Sequence, residues 1–217
     1  MMADDLTGRL ESEEDPLAIV FVVDAEKTPD GRLRVGREDL FDAAALGLMR
    51  LLRDERDEVV DRIALWRDEA IRKIVKRARG AAWHRALAVE HPHVVAHVGD
   101  ASVMVLAPLR PSEQPRAIRE AQVSGLQAEP SGRPARHGAL TVHVDEALHM
   151  STGKTIAQLG HAVQLFAERR TLRAERWITS GCAVCVVPGI PAGPHAVEVR
   201  DAGFTEVPSG SLTAVIL

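Results

Sequence analysis

The sequence predicts an α/β protein in which helices sandwich a mixed β-sheet, with an additional α/β lobe at its N-terminal end. Short apolar, β-branched runs alternate with longer segments of helical periodicity along the chain, a pattern typical of α/β folds. Apolar residues make up 46% of the 217 residues and charged residues 27%, as in a soluble globular protein. No apolar run approaches the roughly 20 residues that a membrane span needs, so we expect no membrane partner.

The first 16 residues predict a disordered acidic tail. They contain six acidic residues and one basic residue, Arg9, and too few apolar residues to form a core. A secretory signal would instead begin with basic residues and continue with an apolar stretch. The chain also has only two cysteines, which excludes a disulfide scaffold. These features predict a cytoplasmic protein.

Residues 17–127 predict the N-terminal α/β lobe. An apolar strand opens it, and a turn containing Pro29, Asp30 and Gly31 follows. The dipeptide Gly99-Asp100 predicts a tight hairpin between two strands. The predicted elements are, in order, a strand over 17–23, helices over 37–55 and 59–86, strands over 94–98 and 102–107, and a short helix over 112–124.

The second of these helices contains a basic segment. Residues 67–85 carry seven basic and two acidic side chains, and a helix would place Arg72, Lys76 and Arg79 on one face. Such a stripe suits a polyanion such as RNA, and a solvated helix face is the alternative. With three Trp, four Phe and no Tyr in the chain, we do not expect recognition of single strands by aromatic stacking.

A linker over 128–138 separates this lobe from a second domain over 139–217. Residues 19–26 resemble residues 140–147, and each segment precedes two helices and a strand that ends in proline. An ancient duplication gives such an echo, and so do two ordinary α/β units. The second domain's predicted elements are a strand over 139–144, a helix over 151–170, a short helix over 172–177, and strands over 183–187, 196–200 and 212–217.

Lys154 is the first residue with candidate chemistry. The segment Ser151-Thr-Gly-Lys154 suggests phosphate binding, but a P-loop needs a glycine where this chain has Leu148. Lys154 lies in the first turn of a predicted helix, where a lysine and the helix N-terminus together can bind an anion or a developing oxyanion. Gln158 and His161 project from the same face. A surface lysine and a structural histidine are the alternative interpretation.

The segment 200–213 holds the second set of candidate residues. Asp201 follows a strand and can orient or deprotonate a water molecule, although an aspartate there also forms turns. Thr205, Ser211 and Thr213 can act with it, or serve only as turn and strand residues.

Other candidate ligands in the sequence are weak. Cys182 and Cys185 match Cys-x-x-Cys, but their offset points them to opposite faces of a strand, so we interpret them as buried thiols. The spacing of His91, His93 and His97 is weak evidence for a metal site. We therefore expect no metal and no other cofactor.

Two motifs of the second domain together resemble the type II peptidyl-tRNA hydrolase family. They occur in the family's order, and the resemblance covers residues 139–217. The first is similar to the start of the family's first helix, and the second to its Asp-Ala-Gly-Arg-Thr and Gly-Ser-x-Thr segment. The matching residues are Gly153-Lys-Thr-Ile-Ala-Gln158 with His161-Ala162, and Asp201-Ala-Gly203 with Thr205 and Gly210-Ser211-x-Thr213.

The resemblance implies a type II peptidyl-tRNA hydrolase-like fold with a mixed four-stranded sheet. It implies an esterase that cleaves the bond between peptide and tRNA by direct, metal-independent attack of water. The implied partner is tRNA, and a homodimer is left open. The implied catalytic residues are Lys154, Asp201, Thr205 and Thr213. The expected substrate-binding residues are Gln158, His161 and Ser211, together with the basic Arg72, Lys76 and Arg79 of the lobe.

The chain departs from the family pattern at three places. Phe204 replaces the family's arginine, no helix fits residues 188–195 where the family has one, and the family continues where this chain ends at Leu217. We expect residues 112–124 to take the place of the missing helix, and the basic segment to replace the lost phosphate contact. Phe204 and the missing helix favour an alternative function, that of a non-catalytic tRNA- or RNA-binding protein that retains the fold.

Overall fold

The computed structural model describes residues 15–69, 71–203 and 206–217. Across these ranges no helix is both long and apolar enough to cross a membrane. The strands are β1 (Ala18–Asp24), β2 (Lys73–Ala78), β3 (His93–Val98), β4 (Ala101–Leu109), β5 (Leu140–Val144), β6 (Val184–Pro188), β7 (Val197–Arg200) and β8 (Leu212–Ile216). The helices are α1 (Arg37–Leu52), α2 (Asp57–Glu69), α3 (Ala81–Leu87), α4 (Arg116–Arg119), α5 (Thr152–Glu168) and α6 (Leu172–Thr179).

The described strands form two mixed four-stranded sheets of the same topology. The strand order is β2-β1-β4-β3 in the first half and β6-β5-β8-β7 in the second. In each sheet the first two strands are parallel, and the central pair is antiparallel. The α/β class with mixed sheets is therefore confirmed. The weak sequence echo between the halves corresponds to a repeated arrangement of strands.

Local sequence explains why α1 and the first sheet form as they do. The apolar run of β1 is buried from Ala18 to Val23, as a strand covered on both faces requires. Gly99 turns the β3–β4 hairpin with φ +54°, a conformation that glycine adopts without strain. A Cβ on Gly47 of α1 would lie 2.8 Å from Cγ2 of Val105, so this glycine lets the helix pack closely on β4.

The predicted helix over 59–86 is wrong. The structure has α2, then strand β2, then α3, and Gly80 precedes α3 with φ +51°. The apolar spacing of the segment fits a helix and a strand equally, and its β-branched residues Ile74 and Val75 favour the strand. Arg72, Lys76 and Arg79 therefore do not share a helix face, because one precedes the strand, one lies within it and one follows it.

The predicted helix over 112–124 is also wrong. A 3-10 turn over Pro111–Glu113 and the short α4 replace it, because Pro115 lacks an N–H and cannot continue a helix. Ile118 packs with Val20 and Trp83 on the outer face of the first sheet. We expected this segment to replace the missing helix of the second domain, but it packs on the first sheet instead.

The two halves share one hydrophobic core. It lies between the sheets and includes the inner sides of α1, α2, α5 and α6. Asp42 of α1 is 2% exposed, and its carboxylate accepts a hydrogen bond of 2.7 Å from the backbone N–H of Val184 in β6. Arg133 and Arg136, from the segment predicted as a linker, donate to the same carboxylate at 2.5 and 3.0 Å. This carboxylate connects α1, β6 and the connecting segment.

We expect Asp42→Ala to lower the free energy of unfolding by about 3 kcal/mol, because it removes the acceptor of the buried Val184 amide and leaves Arg133 and Arg136 only their weaker shared contact with Asp39. Urea denaturation measures the loss. Asp61→Ala, at an exposed position of α2, is the matched control and should change stability by less than about 0.5 kcal/mol. Equal stability of the two variants would contradict the role of Asp42.

Candidate functional site

The start of α5 positions Lys154. The hydroxyl of Ser151 accepts a hydrogen bond of 3.1 Å from the backbone N–H of Lys154, which caps the helix and places Lys154 in its first turn. The carboxylate of Glu206 accepts bonds of 2.9 and 2.7 Å from the backbone N–H and hydroxyl of Ser151. The protein's own carboxylate thus lies at the helix start, where we expected a bound anion.

Asp201 is the centre of a compact polar cluster with Lys154 and Gln158. Its Oδ2 accepts hydrogen bonds from Nζ of Lys154 at 2.5 Å and from Nε2 of Gln158 at 2.6 Å. Its Oδ1 accepts a bond of 2.8 Å from the backbone N–H of Gly203. The side chains of Lys154 and Asp201 are 10% and 7% exposed, so water screens this ion pair less than a surface pair.

The turn after β7 fixes the position of Asp201. Its backbone N–H donates to the carbonyl of Ser211 at 3.0 Å, and its carbonyl accepts from Gly210 at 2.7 Å. The hydroxyl of Ser211 donates to the carbonyl of Pro208 at 2.7 Å. Ser211, predicted to bind substrate, therefore builds the turn that carries the aspartate.

Thr213 supports the cluster from behind. Its hydroxyl lies 2.7 Å from Oε1 of Gln158 and 3.1 Å from the carbonyl of Val199. The pairing of β7 with β8 shifts register here, because Val199 pairs with Ala214 and Arg200 with Leu212. Thr213 is the extra residue of this bulge. It is fully buried, so it acts on the cluster through Gln158.

Lys73 of β2 reaches across to α5 and forms a second polar cluster. Its Nζ lies 3.2 Å from Nδ1 of His161 and donates to Oε1 of Gln164 at 2.5 Å. The same Nζ lies 4.8 Å from the ring centre of Trp66. Burial lowers the pKa of Lys73 well below its usual value, and the negative charge of Glu168 opposes this shift.

The pKa of His161 is also lowered well below its usual value. Burial is the main cause, and the positive charges of Lys73 and Lys154 add to it. His161 is therefore neutral near pH 7. Its role as a substrate-binding residue stays a prediction, as does that of Gln158.

We expect the stability of the wild type relative to Lys73→Met to rise as the pH is raised toward about 10. The unfolded chain keeps this lysine protonated until the pH approaches the usual pKa of a lysine side chain, about 10.4. The folded chain loses this proton at a lower pH than the unfolded chain, because burial lowers the pKa of Lys73. Urea denaturation of both proteins across this range measures the trend, and a pH-independent difference would contradict it.

A cavity of about 1060 Å³ lies between the halves and joins the two clusters. One wall is the face of α5 that carries Lys154, Gln158 and His161, and the opposite wall is residues 71–76 of the first half. Basic side chains outnumber acidic ones among the described residues that line it. The basic ones are Arg72, Lys73, Lys76, Arg119, Lys154 and Arg200, and the acidic ones are Glu198, Asp201 and Glu206.

Two of the three basic residues predicted to bind substrate line the cavity, and the third lies outside it. Arg72 and Lys76 line the cavity, and the buried ammonium of Lys76 donates at 2.8 Å to both Oε1 of Gln114 and the carbonyl of Ile118. Arg79 is exposed in the turn before α3. Thr205, predicted to be catalytic, and its neighbour Phe204 lie outside the described residues.

Neither cysteine is in a disulfide. Cys182 is buried and Cys185 is half-buried, and burial raises the pKa of the Cys182 thiol to about 11. Within the part of the chain that the structure describes, no group of three or more His, Cys, Asp or Glu residues is arranged to hold a metal ion.

Sequence reasoning missed Lys73, Gln164 and Glu206 as members of the site. Lys73 was hidden within a segment that fits a helix and a strand equally. Gln164 lies one turn beyond His161 on α5, and helical spacing alone can find it.

No family model, curated protein or solved structure matches the chain.

Proposed function

We propose that the protein is a peptidyl-tRNA hydrolase-like esterase that cleaves the bond between peptide and tRNA by direct, metal-independent attack of water. One observation carries the proposal: Lys154, Gln158 and Asp201, from two motifs 47 residues apart, form one hydrogen-bonded cluster that lines a large cavity. A shared reaction centre requires such convergence within hydrogen-bond reach.

The cluster offers a division of roles. A water molecule attacks the ester carbonyl carbon and the bond to the ribose oxygen breaks. One proton of the water leaves on the ribose oxygen, and the other passes to solvent as the peptide carboxylate forms. Lys154 supplies positive charge for the oxygen that becomes negative in this step. Asp201 holds Lys154 and Gln158 in place and orients the water. Thr213 fixes the Gln158 amide, which it contacts at 2.7 Å.

The charge of the cavity supports a tRNA ester as substrate. Arg72 and Arg119 from the first half line the same space as Lys154, and arginine is well suited to phosphate. We therefore propose that the polyanion is bound at the cavity wall instead of a helix face, with Arg79 outside this contact.

The test is the release of labelled peptide from peptidyl-tRNA by the full-length protein, with and without a chelator. We expect turnover above the uncatalysed rate, with the same rate in both samples. Activity that the chelator abolishes would contradict metal-independent attack.

Binding of tRNA at increasing salt concentration, measured on the same preparation, distinguishes the esterase from the alternative function, a non-catalytic RNA-binding protein. Salt-sensitive binding without any turnover would reject the esterase and favour a tRNA- or RNA-binding protein that retains the fold.

A further inference from the structure

We propose that the free edge of β2, at Lys73 and Val75, binds the peptide part of the substrate as an added β-strand. This inference rests on the proposed hydrolysis of a peptidyl ester, and it names the part of the substrate that the cavity between the halves holds.

The backbone of β2 leaves hydrogen-bonding groups facing the cavity. On the side of β1, Ile19 donates to the carbonyl of Arg72 at 3.1 Å and Ala25 to that of Ala78 at 2.8 Å. Successive residues of a strand direct their backbone N–H and C=O groups to opposite sides. The backbone groups of Lys73, Val75 and Arg77 therefore point to the edge of β2 that faces away from β1.

That edge is only partly paired in the described chain. Arg77 exchanges hydrogen bonds of 2.7 and 3.1 Å with Gln122. Across residues 15–69, 71–203 and 206–217, the backbone groups of Lys73 and Val75 have no partner on this side. Val75 is only 6% exposed. A backbone amide that is shielded from water without gaining a partner costs about 1–3 kcal/mol, so an occupant of this part of the cavity is favoured if it offers its own N–H and C=O groups.

An extended peptide has this chemistry, because strand addition uses backbone hydrogen bonds for affinity. The cavity also suits apolar peptide side chains, since Ile74, Val123 and Leu165 are among its lining residues. A compact polar ligand would leave this apolar surface and the row of edge amides unused.

The geometry sets the direction and length of the peptide. Lys73 contacts His161 and Gln164 of α5, whereas Lys154 and Asp201 lie near the start of that helix. The seven residues from Lys154 to His161 span about 10 Å, the length of about three residues of extended peptide. With its ester at Lys154 and Asp201, a peptide of three residues therefore extends to the level of His161, where the side chain of Lys73 meets α5.

The test is a series of tRNA esters with the same C-terminal residue and one, two, three or four residues, each N-acetylated. We expect kcat/KM of the wild type to rise by about tenfold, the effect of one or two hydrogen bonds, up to three residues and then to level off. N-methylation of the peptide amides in the tripeptide ester should remove the gain. Equal kcat/KM across the series would overturn the inference while leaving ester hydrolysis intact.

Val75→Pro tests the edge itself. Proline removes the amide that faces the cavity and is tolerated on the free edge of a strand. We expect the ratio of kcat/KM for the three-residue and one-residue esters to fall from about ten to about one, whereas Val75→Ala keeps the amide and the ratio. If Val75→Pro does not fold, kcat/KM of the wild type for the N-methylated tripeptide ester still tests whether the peptide amides bind this edge.

Binding of a fluorescein-labelled, N-acetylated apolar tetrapeptide amide separates the two hypotheses. Saturable binding, with slowed hydrogen exchange of the Val75 amide, supports strand addition even if no ester is hydrolysed, a result that would reject only the proposed function. Absence of binding and of protection at Val75 would overturn the inference.

Discussion

Asp201→Asn is expected to lower the hydrolysis of peptidyl-tRNA by about 100-fold or more. The carboxylate accepts from Lys154 and Gln158 at one oxygen and from Gly203 at the other. An asparagine in either orientation directs its amino group at one of these donors. It also removes the negative charge that pairs with the Lys154 ammonium. The cluster therefore loses a hydrogen bond and an ion pair, although the side chain keeps its size.

The matched control is Asp61→Asn, at an exposed position of α2, which should keep the wild-type rate. Circular dichroism and urea denaturation show whether Asp201→Asn is folded. A folded Asp201→Asn protein with the rate of the wild type would remove the aspartate from the mechanism.

Lys154→Met is expected to lower kcat by about 100-fold as well, because methionine has a similar shape but no charge for the developing oxyanion. Its KM should change little if the lysine acts mainly in the transition state. Lys154→Arg keeps the positive charge on a side chain of different shape and should therefore retain part of the rate. Lys27→Met, at an exposed position, is the control and should be fully active.

The variant that carries both Lys154→Met and Asp201→Asn should lose no more activity than either single variant, within about threefold. Residues that act as one unit show this lack of additivity. Losses that multiply would mean that the lysine and the aspartate contribute independently, contrary to their shared hydrogen bond of 2.5 Å.

Local patterns were sufficient for the elements that local chemistry determines. Gly99-Asp100 predicts the hairpin between β3 and β4, and the segment from Ser151 to Lys154 predicts the start of α5. The apolar run at 17–23 predicted β1 because a short β-branched segment of this length fits a buried strand. These predictions needed no knowledge of distant contacts.

Elements that depend on tertiary contacts were not predicted correctly. The spacing of Ile71, Ile74, Val75 and Ala78 satisfies a helix, and only pairing with β1 makes the segment a strand. Its lysines gave the wrong signal, since charged residues are rarely buried. Lys73 is nevertheless buried, and its Nζ donates to Oε1 of Gln164 and lies 3.2 Å from Nδ1 of His161, both in the other half.

The candidate site was partly predictable. Two sequence motifs predict Lys154, Gln158 and Asp201 as site residues, and the structure brings the three within hydrogen-bond distance. The wall formed by the first half was not predicted, because it depends on how the two sheets pack around α1 and α5. The bulge that turns Thr213 toward Gln158 also arises from strand pairing, which no single segment encodes.

The most direct test of the central claim is the initial rate of peptide release from peptidyl-tRNA, measured in chelator for the wild type and Asp201→Asn side by side. Metal-independent hydrolysis at this cluster predicts turnover by the wild type and a rate lower by about 100-fold or more for the variant. Equal rates for the two folded proteins, or no turnover by the wild type, would contradict it.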